Sequence, residues 1–341
     1  GPYIGGTLDG LPGGIKVDLD HIKLALDKRR PSFNIDTSRS EKDEFEIISG
    51  MFNGFTTGEP LTILIKNSDV QSSSYDPDIP RPSHADLVAY LHSDGYNDYR
   101  GGGHFSGRLT AVIVAFGAIA KDILENKNIK VATHILKCGE VCDSKFHDYE
   151  KEIAILENKK LALIDDYDDK LLLQLEEIKK QGDSIGGILE SVIIGLPVGL
   201  GSPWFHSLEG DISEAIFAIG GVQGIEFGKG FAFSDGLGSE LNDNYRYEDG
   251  KIITLSNNNG GINGGLSNGN PVIFSLAVKP TPSINKMQKS INLKNKENID
   301  LNINGRHDPA IIRRMPIVIS AIVSLLLLDE LALSFGRKYL K

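Results

Sequence analysis

Residues 106–124 read SGRLTAVIVAFGAIAKDIL, and between Leu109 and Ala120 they carry no charge. Ala, Val and Ile fill the run on every side, so a helix built from it is apolar nearly all round and has to be buried. A second apolar run covers 315–328, where Asp329 and Glu330 stop it. Its fourteen residues are too few to cross a bilayer. They read as another buried helix, extending from about 316 to 339.

Outward from these two runs the chain alternates strand and helix signals. Residues 4–9 read as a strand, closed by the turn Gly10-Leu11-Pro12-Gly13-Gly14. Asp18 or Asp20 can cap a helix ending at Arg30, with Ile22, Leu24 and Leu26 inside. Residues 46–51, 61–65, 130–136, 185–194 and 272–278 have strand patterns. A short helix is expected over 85–91, a helix begins at Asp211, and a polar hairpin fills 291–303. The charge-dense stretch 143–181 reads as a helical excursion at the periphery. Strand, Gly-Leu-Pro-x-Gly turn and Asp-started helix occur near 4–30 and again near 185–220. That echo divides a single unit, 1–341, into two similar halves at about 1–140 and 182–341.

A chain of 341 residues can bury a sizeable core as one large domain or two intimate halves. The net charge of −10 argues against a general nucleic-acid binder, yet a local arginine cluster can still hold a small anion. Two cysteines, Cys138 and Cys142, are too few for a disulfide framework or a zinc site. They read as reduced thiols of a cytoplasmic protein. No signal peptide, no bound metal and no membrane partner are expected.

Four polar clusters could carry chemistry. Arg29, Arg30 and Arg39 lie at a helix end and a Ser/Thr-rich loop, and arginine forks suit carboxylate and phosphate oxygens. The same residues could equally be a solvated helix end. In Arg81-Pro82-Ser83-His84-Ala85-Asp86, Ser83 can cap the following helix and place His84 in its first turn. A helix N-terminus disfavours the imidazolium, so the ring would titrate near neutrality and could move a proton. A structural histidine would look alike. Arg100-Gly101-Gly102-Gly103-His104-Phe105-Ser106-Gly107-Arg108 opens the long buried helix, and its glycines could cradle an anion with backbone N–H groups. It matches neither a P-loop nor a dinucleotide fingerprint. Last come the loop Asn257-Asn258-Asn259-Gly260-Gly261-Ile262-Asn263-Gly264-Gly265 and the turn Arg306-His307-Asp308-Pro309, with Arg313 and Arg314 close behind.

Taken in order, these clusters resemble the chorismate synthase family. The strings that carry the likeness are Asp27-Lys28-Arg29-Arg30-Pro31, Thr37-Ser38-Arg39, Gly50-Met51-Phe52-Asn53-Gly54-Phe55-Thr56-Thr57-Gly58, and Arg81 to Asp86. They continue with Asp98-Tyr99-Arg100-Gly101-Gly102-Gly103, Gly182-Asp183-Ser184-Ile185-Gly186-Gly187, Lys279-Pro280-Thr281 and Gly305-Arg306-His307-Asp308-Pro309. Three departures stand out. His104, Phe105 and Gly107 replace the family's usual residues in its Gly-Gly-Gly-Arg-Ser-Ser-Ala-Arg string, and Ala310 stands where a cysteine is usual. The family's Gly-Glu-Ser-His-Gly string has only its last glycine here, at Gly1.

The resemblance implies an α+β fold, a β-α-β sandwich whose antiparallel sheets surround central buried helices. It implies elimination of phosphate from 5-enolpyruvylshikimate 3-phosphate to give chorismate, with reduced FMN, an external flavin reductant drawing on NADPH, and a homotetramer. By similarity Arg29, Arg39 and Arg108 hold the substrate anion. His84 protonates the reduced flavin, and Asp308 assists proton abstraction beside it. The flavin is lined by His104, Phe105, Ser106, Gly220, Gly221, Gly264, Lys279, Pro280, Thr281, Pro282, Ser283 and Arg306. The competing readings are a family member that binds these ligands without turnover and a phosphosugar-type anion-binding module.

Overall fold

The structure is a computed structural model that describes residues 1–31, 33, 42–67, 76–303 and 307–341. In chain order it contains β1 (Tyr3–Leu8), α1 (Leu19–Arg29), β2 (Phe45–Ser49), the short hairpin β3 (Met51–Phe52) and β4 (Phe55–Thr56), β5 (Leu61–Lys66), α2 (Asp86–His92) and α3 (Thr110–Glu125). Then follow β6 (Lys130–Cys138), β7 (Val141–Cys142), α4 (Tyr149–Asn158), α5 (Asp168–Lys180), β8 (Gly187–Ile194), α6 (Leu208–Phe217), β9 (Val222–Phe227) and α7 (Gly238–Leu241). Hairpins β10 (Tyr245–Glu248) with β11 (Lys251–Thr254) and β12 (Ile262–Asn263) with β13 (Leu266–Ser267) precede β14 (Val272–Val278). Hairpin β15 (Gln288–Asn292) with β16 (Glu297–Leu301) leads to α8 (Met315–Phe335).

Two antiparallel sheets enclose the helices. The first has strand order β1-β5-β2, and the second β7-β6-β8-β14-β9. Side chains alternate along a strand, so every second residue can face the helical layer. Leu61, Ile63 and Ile65 of β5 do so, as do Val272, Phe274, Leu276 and Val278 of β14, and all are buried. α3 and α8 pack along each other, with α1 and α6 beside them. β1 and β5 lie against α3, and β6 against α8. This is the expected sandwich with buried central helices. β6, which precedes residue 140, pairs with β8 beyond residue 182 and belongs to the second sheet.

Several boundaries move. The run at 106–124 becomes α-helix only at Thr110, because Ser106 accepts a hydrogen bond from the Arg108 amide and starts a separate 3-10 turn, Gly107–Leu109. α6 begins after its cap Ser207, not at Asp211, which lies inside its first turn. α8 ends at Phe335, where Gly336 turns away with φ +81°, so residues 337–340 form a separate 3-10 turn. Counted past Asp329, this C-terminal helix is long and apolar enough to cross a membrane by length and composition alone, with mean hydropathy 2.2. Its inner face, including Val318, Ile319, Val323, Leu327 and Leu331, is buried against protein. The excursion is not wholly peripheral either: Leu161, Leu163, Leu171 and Leu175 are fully buried in the main core. Cys138 and Cys142 are both free thiols.

α3 and α8 approach closely at Gly117. A Cβ placed there would lie 2.3 Å from the Ala321 Cβ. Gly117→Ala therefore forces the two helices apart and should destabilise the protein by about 1–3 kcal/mol. Urea unfolding measures this, and an unchanged midpoint would show that the helices separate freely.

β6 also carries a buried ionic cluster. His134 is fully buried between Asp143 (Nδ1–Oδ2, 3.0 Å) and Glu190 (Nε2–Oε2, 3.2 Å). Asp143 further accepts from the amides of Ile164 and Asp165, and Glu190 from that of Phe146. Burial disfavours the imidazolium, but the two carboxylates outweigh it and raise the His134 pKa. A raised folded pKa contributes stability that is complete below the unfolded value of about 6.5 and is lost as pH climbs through the folded one. His21, paired with Asp122 at 2.6 Å, is raised in the same sense. Stability should therefore fall as pH rises above neutral, and His134→Gln should flatten that fall. Urea midpoints across pH 6–9 test it; parallel curves for the two proteins would remove His134 from the effect.

Candidate active site

One cavity, of about 390 Å³, opens where the end of α1, the turn before α3, the segment after β14 and the turn before α8 converge. Four arginines, Arg29, Arg30, Arg108 and Arg314, and two aspartates, Asp43 and Asp308, line it. Cations thus exceed anions by two, and the site suits a polyanion.

Asp43 organises the cationic wall. Its side chain is wholly buried and accepts from Arg29 (Nη2–Oδ2, 2.9 Å) and from Arg108 Nη1. Burial pulls the Arg29 pKa down, and Asp43 opposes this. Arg108 also donates to Asn67 Oδ1 at 3.2 Å and to the Lys66 carbonyl at 3.3 Å. One buried carboxylate thereby holds two guanidinium groups side by side.

The opposite wall is the turn before α8. Asp308 is buried, and its Oδ2 accepts from Arg314 Nη2 at 2.6 Å. The Ile185 amide donates to the Pro309 carbonyl at 2.8 Å, which ties this turn to the Gly182–Gly187 string. Asp308 Oδ1, Thr281 Oγ1, Arg29 Nε and Arg314 Nε are buried without hydrogen-bond partners among the described residues, and all four residues line this cavity. Buried polar atoms are nearly always satisfied. Four such atoms around one anion-suited cavity mark a place built for a polar ligand.

A second cavity, of about 580 Å³, lies behind Arg81, His84, Asp86, the Gly101–Phe105 loop and the β15–β16 hairpin. Arg81 forms a fork with Asp86 at 2.7 and 2.9 Å. His84 Nδ1 donates to the Pro82 carbonyl at 3.0 Å, and Nε2 meets Ser283 Oγ at 2.8 Å. Ser283 itself lines the first cavity, so this contact forms the wall between the two. Both volumes fall within the usual range for small-molecule and cofactor pockets.

Two local expectations are corrected. Ser83 does not cap α2: the helix starts at Asp86, its cap position is Ala85 with no side-chain bond, and Ser83 takes φ +58°. His84 therefore precedes the helix. Its pKa is lowered by burial and by the Arg81 charge, with the Pro82 carbonyl and Asp86 opposing. The glycines at 101–103 do not open α3 either; the last of them begins a short 3-10 turn, Gly103–Phe105.

The structure gathers Arg29, Arg108, Ser106, Gly220, Thr281, Ser283 and Asp308 around the first cavity. It places His84, His104 and Phe105 at the second. Lys279, Pro280, Pro282, Gly221 and Gly264 line neither. Lys279 Nζ donates to the Ser83 carbonyl and its amide to the Gly221 carbonyl. Gly264 sits in the β12–β13 turn at φ +61°. Arg39 and Arg306 lie outside the described residues. The Asn/Gly loop is held by Asp243, which accepts from the amides of Asn258 and Asn259. Sequence reasoning missed Asp43, an aspartate in a charged loop with no pattern to mark it, and the direct partnership of His84 with Ser283.

The family model for chorismate synthase matches residues 1–332. Chorismate synthase of Thermococcus gammatolerans is 41% identical over 333 residues, covering 97% of this chain and 93% of that protein. The enzyme of Methanosarcina barkeri is 43% identical over 335 residues, with 97% and 91% covered. A crystal structure of chorismate synthase superposes with a TM-score of 0.76 at 25% identity, covering 98% of this chain and 90% of that one.

Proposed function

This chain belongs to the chorismate synthase family, and on that premise we propose that its two adjoining cavities are the active site. The enzyme is a lyase of the shikimate pathway: it eliminates phosphate from 5-enolpyruvylshikimate 3-phosphate to make chorismate, on the way to aromatic amino acids. The family uses reduced flavin, and the finer reading is FMN reduced by an external reductant. A cytoplasmic homotetramer is the proposed working form.

The observation that carries the assignment is the set of four unsatisfied buried polar atoms around the arginine-rich cavity. The substrate has two carboxylates and a phosphate, and Arg29 and Arg108 are placed to bind such an anion. As phosphate leaves, negative charge gathers on its oxygens, and guanidinium groups already fixed by Asp43 neutralise it without reorganising. Thr281 Oγ1, buried at the first cavity without a hydrogen-bond partner among the described residues, fits a polar edge of the flavin ring. Reduced flavin, when bound, supplies the reactive ring system while the overall reaction stays redox-neutral. Asp308, with Oδ2 committed to Arg314 and Oδ1 buried without a partner among the described residues, can take or give a proton at Oδ1. His84 can do so at Nε2.

Anaerobic incubation of the full chain with the substrate and chemically reduced FMN, following phosphate release, tests the assignment. Tight binding of both ligands without phosphate release would favour a member that has lost turnover. Arg29→Ala and Arg108→Ala should each weaken substrate binding by about 1.5–3 kcal/mol, the range for a charge-assisted contact, and leave flavin affinity nearly unchanged. Calorimetric titration with each ligand separates the two, and normal substrate binding by both variants would remove these arginines from the substrate site.

A further inference from the structure

We propose that Ser283 is the positioning residue of His84 and the relay that carries its proton from the second cavity into the anion cavity. The inference rests on the reading of His84 as a proton-moving group. The imidazole has two nitrogens, and Nδ1 is committed as a donor because the Pro82 carbonyl can only accept. Proton traffic therefore uses Nε2, and the side chain facing Nε2 is the Ser283 hydroxyl, 2.8 Å away. Ser283 lines the anion cavity and His84 lines the other. A proton crossing between them by this path meets the hydroxyl first.

The segment that carries the hydroxyl is held in place on both sides of Ser283. Ser184 Oγ donates to the Thr281 carbonyl at 2.6 Å, and the Lys279 amide to the Gly221 carbonyl at 2.9 Å. The Asn285 amide donates to the Gly182 carbonyl at 2.9 Å. Lys279 Nζ reaches back to the Ser83 carbonyl at 3.0 Å, which clamps the two loops together. The charged groups facing His84 are Arg81 and Asp86 from its own segment and Lys279 from the facing one.

The transfer balances without any oxidant or reductant. In the imidazolium, Nε2–H donates to Ser283 Oγ while the Ser283 O–H donates to a basic atom of a ligand in the anion cavity. The O–H proton passes to that atom, the Nε2 proton moves onto Oγ, and the imidazole ends neutral with Nε2 accepting from the hydroxyl. His84 loses one proton and the ligand gains one.

Ser283→Ala, Ser283→Thr, His84→Ala and the double variant Ser283→Ala/His84→Ala are compared in the full chain, with substrate and reduced FMN under anaerobic conditions across pH. The expected result is a fall in kcat of about 10–100-fold for Ser283→Ala, part of the effect of a general acid. KM should stay within about twofold of the parent, the pH–rate profile should shift, and Ser283→Thr should recover most of the rate. In the His84→Ala background, Ser283→Ala should add nothing, the mark of two residues acting as one unit. Parent-like kcat and pH profile in Ser283→Ala would overturn the proposal. So would a loss confined to flavin affinity, no rescue by threonine, or full additivity with His84→Ala. Parent-like turnover in His84→Ala alone would instead sink the underlying reading of His84.

Discussion

Asp308→Asn should bind flavin and substrate normally and release phosphate about 10²–10⁴-fold more slowly, the range for loss of a positioned acid or base. Asparagine matches aspartate in size. Its carboxamide oxygen can still accept from Arg314 Nη2, the bond that fixes the side chain at 2.6 Å. What it lacks is a carboxylate oxygen able to exchange a proton at the position of Oδ1, which is buried without a hydrogen-bond partner among the described residues. A group that acts only during reaction should change the rate at saturation and leave apparent affinity nearly alone. Rapid mixing of substrate with enzyme and reduced flavin, without oxygen, reads both. The substrate-dependent change in the flavin spectrum should appear as in the parent while phosphate release lags. Normal release would make Asp308 a structural partner of Arg314. Failed flavin binding would move it to a different step.

His84→Ala should lower turnover by a similar factor, about 10²–10⁴-fold, with the fold intact. The ring is half-buried between two loops, and removing it leaves Ser283 Oγ and the Pro82 carbonyl beside the open second cavity, where water can replace it. Stability should therefore change little. Burial and the Arg81 charge hold the His84 pKa below its ordinary value, which favours the neutral ring and makes the imidazolium the readier proton donor. Circular dichroism and the thermal midpoint establish the fold, and steady-state phosphate release gives the rate. A parent-like rate would take His84 out of the mechanism.

The extent to which the site was legible differs residue by residue. Arg29, Arg108 and Asp308 stand out because arginine density and an Arg-His-Asp turn are rare in sequence, and all three line one cavity. Asp43 gave no such signal. It lies in a loop of mixed charge, its φ of +53° is one that sequence seldom marks at a non-glycine, and its importance comes only from two arginines 14 and 65 residues away. Ser283 and His84 are 199 residues apart. No local pattern could pair them.

The sequence by itself determined the parts of this protein that follow from short-range rules. An uncharged run such as 109–120 has to be buried, and alternating apolar residues such as Leu61, Ile63 and Ile65 have to face a core, because water excludes them wherever the chain goes. The ordered family strings likewise identified the chemistry. Only the tertiary structure decided where α3 begins, that β6 joins the second sheet, that the excursion lends Leu171 and Leu175 to the core, and that one carboxylate serves both Arg29 and Arg108. Those outcomes depend on which distant surfaces meet when the two sheets close over the helices, and a contact between distant segments leaves no periodicity in either of them.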